Sequence, residues 1–235
     1  MTQAARPYWR RLIVPALFTI AGLAVLLSLG VWQLQRKVWK ETLIATLQQR
    51  LSAAPVDLPP PQEWHRLNQK DAEFTRVKVR LRYPSDEDRV SPAWLYSGAS
   101  ALRSDVKSPG YFVFEPGTLS GGGTVVVDRG YTPELGMLRP EVRGTTIEIV
   151  GVLRWPEPAG LFVSDHDFSG ATWFVRDHLS MARERAWGDV APFYIAQESP
   201  APAGGLPRPG PLTVRLRNDH LGYAITWYGL AAAMA

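Results

Sequence analysis

His220, Tyr223 and Trp227 occupy positions i, i+3 and i+7 near the end of the chain, in a stretch without charged residues. A helix brings positions with this spacing to one face. An imidazole in or beside a bilayer is costly and requires a functional reason, such as an axial ligand to haem iron with aromatic rings against the macrocycle. An interfacial histidine within an aromatic belt costs little and explains the same residues. The residues alone leave both interpretations open.

The chain contains no recognisable enzyme motif. The sequence lacks a Gly-rich phosphate loop, a GxSxG turn, an HExxH helix and a paired acidic motif. It contains no cysteine, which excludes disulfides, Cys-ligated zinc, iron–sulfur clusters and a CxxC site. The triplet Asp165-His166-Asp167 could hold a metal, although such a loop triplet is more typical of a solvated turn. We therefore expect that the protein is not an enzyme.

A row of cations forms a second candidate site. Residues 74–83 alternate with period two, which predicts a strand with one apolar and one basic face. The basic face could bind lipid headgroups, haem propionates or an acidic subunit, or could simply be solvated. Its residues are Arg76, Lys78, Arg80 and Arg82. The net charge of +4 comes from basic residues spread along the chain without a nucleic-acid-binding motif, so no nucleic-acid partner is expected.

The elements that must position these residues begin with a hydrophobic N-terminal segment. Residues 12–33 carry no charge and would form a helix of about 33 Å, long enough to cross a bilayer. Arg6, Arg10 and Arg11 precede it, which predicts that residues 1–11 are cytoplasmic. A cleaved signal peptide is the alternative, but the apolar run is longer than a typical signal core of about 7 to 15 residues. Residues 34–52 continue the helical pattern beyond the membrane.

The C-terminal segment is the second predicted transmembrane helix. Residues 218–235 contain an uncharged stretch from His220 onward. This stretch would rise only about 24 Å as a helix, less than a hydrocarbon core of about 30 Å. We therefore expect a second span that is truncated in this chain. Trp32 and Gln33 lie at the outer end of the first span, where they could share a pocket with His220.

The region between the two segments predicts a single extramembrane domain. A Pro-rich linker at residues 53–63 leads into a β-rich domain at residues 64–203, and a second linker covers residues 204–217. Strands are predicted at residues 74–83, 94–97, 111–114, 125–128, 145–153, 172–176 and 193–196, one helix at residues 179–187, and turns at Pro116-Gly117 and Gly121-Gly122-Gly123. The fold class is thus a mainly antiparallel β (α+β) domain, barrel- or sandwich-like, flanked by two transmembrane helices.

A set of short segments spans nearly the whole chain in order. The segments are Gly30-Val31-Trp32-Gln33-Leu34-Gln35-Arg36-Lys37, Gly110-Tyr111-Phe112-Val113-Phe114-Glu115-Pro116, Val127-Asp128-Arg129-Gly130-Tyr131-Thr132-Pro133, Trp173-Phe174-Val175-Arg176-Asp177 and Asn218-Asp219-His220-Leu221-Gly222-Tyr223-Ala224-Ile225-Thr226-Trp227-Tyr228-Gly229-Leu230. Together these segments resemble the surfeit locus protein 1 family of cytochrome c oxidase assembly factors.

The resemblance implies a multi-pass protein of the bacterial inner membrane whose central domain is periplasmic. It also implies a role in delivering or retaining haem a for subunit I of cytochrome c oxidase, with haem a synthase as a further partner. His220 matches the histidine through which bacterial relatives are proposed to bind haem, so it would be the axial ligand to the iron. Trp32, Gln33, Tyr223 and Trp227 would then line the pocket. The alternative is a cofactor-free membrane scaffold that binds nascent oxidase subunits or haem synthase through the β-rich domain.

Overall fold

The chain folds into two compact units. The computed structural model describes residues 12–98, 102–137, 144–158, 166–167, 172–213 and 216–235. One unit, the helical unit, comprises the two ends of the chain, up to Thr46 and from Leu216 onward. The other, the β unit, comprises Leu47–Arg215.

The first helix, α1, runs without a break over Ile13–Ser52. Pro15 lies in its first turn, where the missing amide proton has no intrahelical acceptor in any case. The hydroxyls of Ser28 and Thr42 donate to carbonyls four residues earlier, at 2.6 and 3.0 Å, so these polar side chains are satisfied within the helix. Among the described residues, α1 is the one helix that is long and apolar enough to cross a membrane. This helix is consistent with a membrane-anchored protein.

The C-terminal helix, α4, spans His220–Met234. With 15 residues it rises about 22 Å, which is less than a typical hydrocarbon core of about 30 Å. A second membrane crossing over residues 218–235 therefore stays a prediction.

The larger unit is built on one nine-stranded sheet. Its strands are β1 Val56–Asp57, β2 Arg76–Arg82, β3 Ala93–Ser97, β4 Gly110–Leu119, β5 Thr124–Thr132, β6 Thr146–Arg154, β7 His166–Asp167, β8 Thr172–Trp173 and β9 Tyr194–Ser199. The helices are a 3-10 helix at Pro61–Arg66, α2 at Gln69–Ala72 and α3 at His178–Glu184. The strand order is β1-β2-β6-β9-β5-β4-β3-β8-β7.

A second pairing closes part of this sheet into a barrel. β2 pairs with β4 through Leu81 and Leu119, so β2, β6, β9, β5 and β4 form a ring. Most neighbouring strands are antiparallel, while β1–β2, β3–β8 and β5–β9 are parallel. The barrel-like β domain predicted from the sequence is thereby confirmed. β1 lies within the predicted linker at residues 53–63, because Val56 pairs with Val77.

One predicted turn is wrong. Pro116 and Gly117 lie inside β4, where they pair with Val126 and Val125 of β5. A Cβ atom at Gly117 would lie 2.9 Å from the side chain of Leu81. Glycine is required there because β4 approaches β2 at the point of barrel closure, which a local sequence pattern does not show.

Strands β4, β5 and β9 are buried on both faces of the sheet. Val125 and Val127 contribute to the core inside the barrel, whereas Val126 contributes to a second core outside it. The inner core also contains Leu81, Ile149, Phe193 and Ile195. The outer core also contains Phe112, Phe114, Trp173, Met181 and Tyr194. The outer core explains why α3, which carries Met181, packs beside the sheet.

Residues 208–213, which we call the strap, are hydrogen-bonded across this unit. Tyr131 and Arg208 exchange two backbone hydrogen bonds of 3.0 and 2.7 Å, and Gly210 N–H donates to the Gln197 carbonyl. Gly130 has a φ of +113°, and the Arg208 carbonyl occupies the space that a Cβ would need. The glycine thus allows the strap to lie against β5.

Candidate functional site

Helices α1 and α4 lie side by side in an antiparallel pair within the helical unit. Gln33 meets His220 at one end of the pair, and Gly22 faces Met234 at the other. Between them, a Cβ on Gly30 would come within 2.7 Å of the Tyr228 ring. The absence of a side chain at Gly30 therefore allows the two helices to approach closely.

The central contact of the pair is a hydrogen bond between His220 and Gln33. His220 Nδ1 lies 2.7 Å from Gln33 Oε1. Gln33 is only 9% exposed, and Gly30, one turn before it, is also buried. The polar side chain of Gln33 therefore sits on the same face of α1 as Gly30, towards α4.

This hydrogen bond leaves one imidazole nitrogen available. When Nδ1 carries the proton and donates to Gln33 Oε1, Nε2 keeps its lone pair. A histidine that binds a metal usually donates its other N–H to an acceptor in this way, which fixes the ring orientation. Gln33 and His220 therefore have the arrangement of a ligand and its orienting partner.

The three aromatic residues predicted to line the pocket differ in their exposure. Trp227 is half-buried, and its indole Nε1 is buried without a hydrogen-bond partner among the described residues. Tyr223 is 57% exposed and Trp32 is 50% exposed. The structure thus joins His220 to Gln33, places Trp227 partly inside the helix pair and leaves the rings of Tyr223 and Trp32 accessible.

The cationic face of β2 is paired with carboxylates of its own unit. The four pairs are Arg76–Glu198 at 2.8 Å, Lys78–Asp57 at 3.3 Å, Arg80–Glu148 at 3.8 Å and Arg82–Asp88 at 3.3 Å. These pairs reduce the positive charge that the face presents. Binding of an acidic partner by these residues stays a prediction.

The other histidines show no metal site in the part of the chain that is described. No group of three or more potential ligands is found among those residues, and Asp165 of the predicted triplet lies outside them. His178 is fully buried at the start of α3, and its Nε2 lies 3.0 Å from the Ala191 carbonyl oxygen. Burial lowers the pKa of His178 to about 4, so the ring is neutral.

Sequence reasoning missed the buried charges of the β unit. Arg129 and Glu115 form an ion pair of 2.5 Å, and both side chains are nearly inaccessible. Arg176 pairs with Asp128 at 2.8 Å. The available signal was the presence of charged residues inside apolar strand segments, as in Val127-Asp128-Arg129-Gly130.

Comparison with known proteins extends the resemblance found in the sequence. The sequence model of the SURF1 family matches residues 20–232. Surfeit locus protein 1 of Rattus norvegicus is 33% identical over 96% of this chain and 72% of its own length. The SURF1-like protein of Monosiga brevicollis is 33% identical over 96% of this chain and 83% of its own. Surfeit locus protein 1 of Takifugu rubripes is 32% identical over 96% and 92%.

Proposed function

Because the chain belongs to the SURF1 family, we propose that it is a membrane-anchored assembly factor for cytochrome c oxidase and not an enzyme. In this role it assists the delivery or retention of haem a for subunit I. The proposal joins the family membership to the geometry of the α1–α4 pair. A haem-handling protein needs an available imidazole in an apolar setting, and His220 supplies one.

The observation that carries the haem assignment is the 2.7 Å contact between His220 Nδ1 and Gln33 Oε1. A bound haem a would supply an iron that accepts an imidazole nitrogen. His220 would hold the iron through Nε2, and Gln33 would orient the ring. The unpartnered indole N–H of Trp227 would donate to an acceptor beside it, while the accessible rings of Tyr223 and Trp32 would pack against the macrocycle.

We also propose the membrane arrangement that this function requires. Helix α1 would cross the membrane with residues 1–11 in the cytoplasm, as Arg6, Arg10 and Arg11 indicate. The β unit would then lie on the periplasmic side of an inner membrane, and α4 would return into the same bilayer. The hydrogen bond between α1 and α4 supports this because it requires the two helices to be neighbours.

A complementation experiment tests the function. In cells that lack the endogenous protein, the wild-type chain is expected to restore the haem a content and activity of the oxidase in membranes. His220→Ala should fail to do so although it is present in normal amounts. Gln35→Leu, at an exposed position of α1 close to Gln33 in sequence, is the control and should restore both.

The cofactor-free scaffold predicts a different outcome. It requires that His220→Ala restores the oxidase fully and that charge reversal of Arg76 and Arg80 abolishes co-purification with oxidase subunits. Full restoration by His220→Ala would remove haem binding from the proposed function. The local ion pairs of Arg76 and Arg80 give this alternative less support than the α1–α4 pair gives to haem binding.

A further inference from the structure

Helix α1 carries a cluster of cations just beyond its uncharged segment, and the proposed haem-handling function does not use it. The first charged residues after that segment are Arg36, Lys37 and Lys40, followed by Glu41. The helix continues without a break through all of them. In the proposed orientation these cations lie on the periplasmic flank of the membrane, although basic residues are usually in excess on the cytoplasmic flank. The cluster therefore requires an explanation.

Two of these three cations have no carboxylate partner. Lys37 Nζ lies 2.7 Å from Glu41 Oε1, so its charge is balanced within the helix. Arg36 and Lys40 are partly exposed, and neither forms an ion pair with any residue that the structure describes. The two are four residues apart, so they lie on the same face of α1. This face offers two positive charges to a ligand.

The indole of Trp39 belongs to the same face and fixes the position of the guanidinium. The Arg36 guanidinium carbon lies 4.2 Å from the centre of the Trp39 ring, which is a cation–π contact. The tryptophan is nevertheless 52% exposed. A large amphipathic ring beside cations is typical of the membrane–water interface, where indoles sit at the level of the headgroups.

When α1 crosses the bilayer with residues 12–33 in the hydrocarbon core, this face lies at the level of the phospholipid headgroups. Arg36 and Lys40 follow Gln33 by about 4.5 and 10.5 Å along the helix axis. Each headgroup layer is about 5 to 8 Å thick. Side chains of a helix tilt towards its N-terminus, so those of Trp39 and Lys40 extend back towards the bilayer. All three side chains can therefore reach the phosphate groups.

From these observations we infer that Arg36, Trp39 and Lys40 bind the phosphate group of an anionic phospholipid. The guanidinium and the ammonium donate hydrogen bonds to phosphate oxygens, and the indole packs against the glycerol and the start of the acyl chains. The two positive charges favour an acidic lipid such as phosphatidylglycerol over phosphatidylcholine, whose own cation offsets its phosphate. The inference requires that α1 crosses the membrane, and it does not depend on haem.

Fluorescence quenching beside the cluster tests the inference. Because the chain contains no cysteine, Gln35→Cys, at an exposed position of α1, can carry a single fluorophore. The full-length protein is reconstituted into phosphatidylcholine bilayers with increasing amounts of phosphatidylglycerol or phosphatidylcholine that carries a spin label near the glycerol. We expect phosphatidylglycerol to reach half-quenching at a mole fraction about 10-fold lower at low salt, and this preference should decrease as salt is added.

Substitutions in the labelled protein assign the preference to this face. Arg36→Gln combined with Lys40→Gln should abolish it. Arg66→Gln combined with Lys70→Gln is the matched control, because it removes two exposed cations at the same spacing from the β unit, and it should keep the preference. Trp39→Leu loses the cation–π contact and should reduce the preference by about 2- to 5-fold, while Trp39→Phe, which keeps an aromatic ring, should retain most of it.

Three results would overturn the inference. Equal quenching by the two lipids without further substitution would leave the cations to another ligand, such as an acidic protein. Loss of the preference in the control with Arg66 and Lys70 replaced would show that overall charge is responsible. Displacement of phosphatidylglycerol by inorganic phosphate at constant ionic strength would show that the face binds a free ion. Because no readout requires haem, failure of the proposed haem binding would leave these results unchanged.

Discussion

The amide of Gln33 determines which nitrogen of His220 is available. Because Oε1 lies 2.7 Å from Nδ1, it favours the tautomer that leaves Nε2 free. A partner of this kind orients a ligating imidazole and increases its basicity. Gln33 thus serves the proposed site by orienting the histidine.

Gln33→Leu should therefore weaken haem binding while keeping the ligand. We expect an affinity lower by about 10- to 100-fold, the usual cost of losing such a partner. Titration of the purified protein with haem, followed by absorption, measures it. Gln35→Leu should bind like the wild type, and unchanged affinity of Gln33→Leu would show that Gln33 does not orient the ring.

The ion pair between Glu115 and Arg129 is buried, and breaking it should be costly. Glu115→Ala leaves the Arg129 guanidinium with an uncompensated charge, so the free energy of unfolding should fall by about 3 to 5 kcal/mol. Glu148→Ala breaks the exposed pair with Arg80 and should cost about 1 kcal/mol or less. Urea unfolding followed by tryptophan fluorescence compares the two. Equal losses would contradict the role given to burial.

His178 should make the β unit less stable in acid. Burial lowers its folded pKa to about 4, below the 6.5 of an exposed histidine. The unfolded chain therefore binds a proton between these two values that the folded chain does not. Stability is full above about pH 6.5 and falls as the pH drops towards 4, by about 3 kcal/mol in total.

His178→Gln should remove this part of the acid sensitivity, because it cannot take up the proton. Urea unfolding at pH 7.5 and at pH 5 measures the difference for each protein. The wild type should lose more free energy of unfolding between the two pH values than the variant. Equal losses in both would mean that His178 is charged in the folded protein.

At the scale of the elements, the close approach of α1 and α4 depends on Gly30. A larger side chain would collide with the Tyr228 ring, because even a Cβ would lie 2.7 Å from it. The helices would have to separate, and Gln33 would lose contact with His220. The glycine thus serves the site without touching a ligand.

Cross-linking can measure this dependence, because the natural chain contains no cysteine. Cysteines introduced as Gln33→Cys and His220→Cys should be joined efficiently by a short bismaleimide. Adding Gly30→Leu should reduce the yield several-fold, and adding Tyr228→Ala as well should restore it. Gly229→Leu, at a position with open space around it, should have little effect. An unchanged yield with Gly30→Leu would contradict the packing described.

The sequence predicted those elements whose periodicity is local. The alternation of β2 and the uncharged run of α1 each reflect one face or one environment over many residues. Pro116-Gly117 was misread as a turn. Its glycine is needed because the side chain of Leu81, 36 positions earlier, occupies the space of a Cβ where β2 and β4 pair. Likewise, Arg103, Arg154 and Arg176 line one small cavity of the β unit, and no spacing along the chain indicates that they meet. His220 and Gln33 were both predicted, but their hydrogen bond depends on the helix pair.

At the scale of the whole molecule, the account requires a defined membrane topology. Single cysteines at Thr2 and at the exposed Gln62 would report it, since the chain offers no background thiol. In intact cells an impermeant maleimide that enters the periplasm should label Gln62→Cys. It should label Thr2→Cys only after the membrane is permeabilised. The reverse pattern would contradict the proposed orientation.

The most direct test of the central claim is an absorption spectrum of the full-length protein purified in detergent. The protein should be prepared from cells that make haem a and from cells that do not. The account predicts a Soret band in the first preparation alone, and its loss in His220→Ala. A missing band in the wild type, or a band of equal height in His220→Ala, would contradict the account.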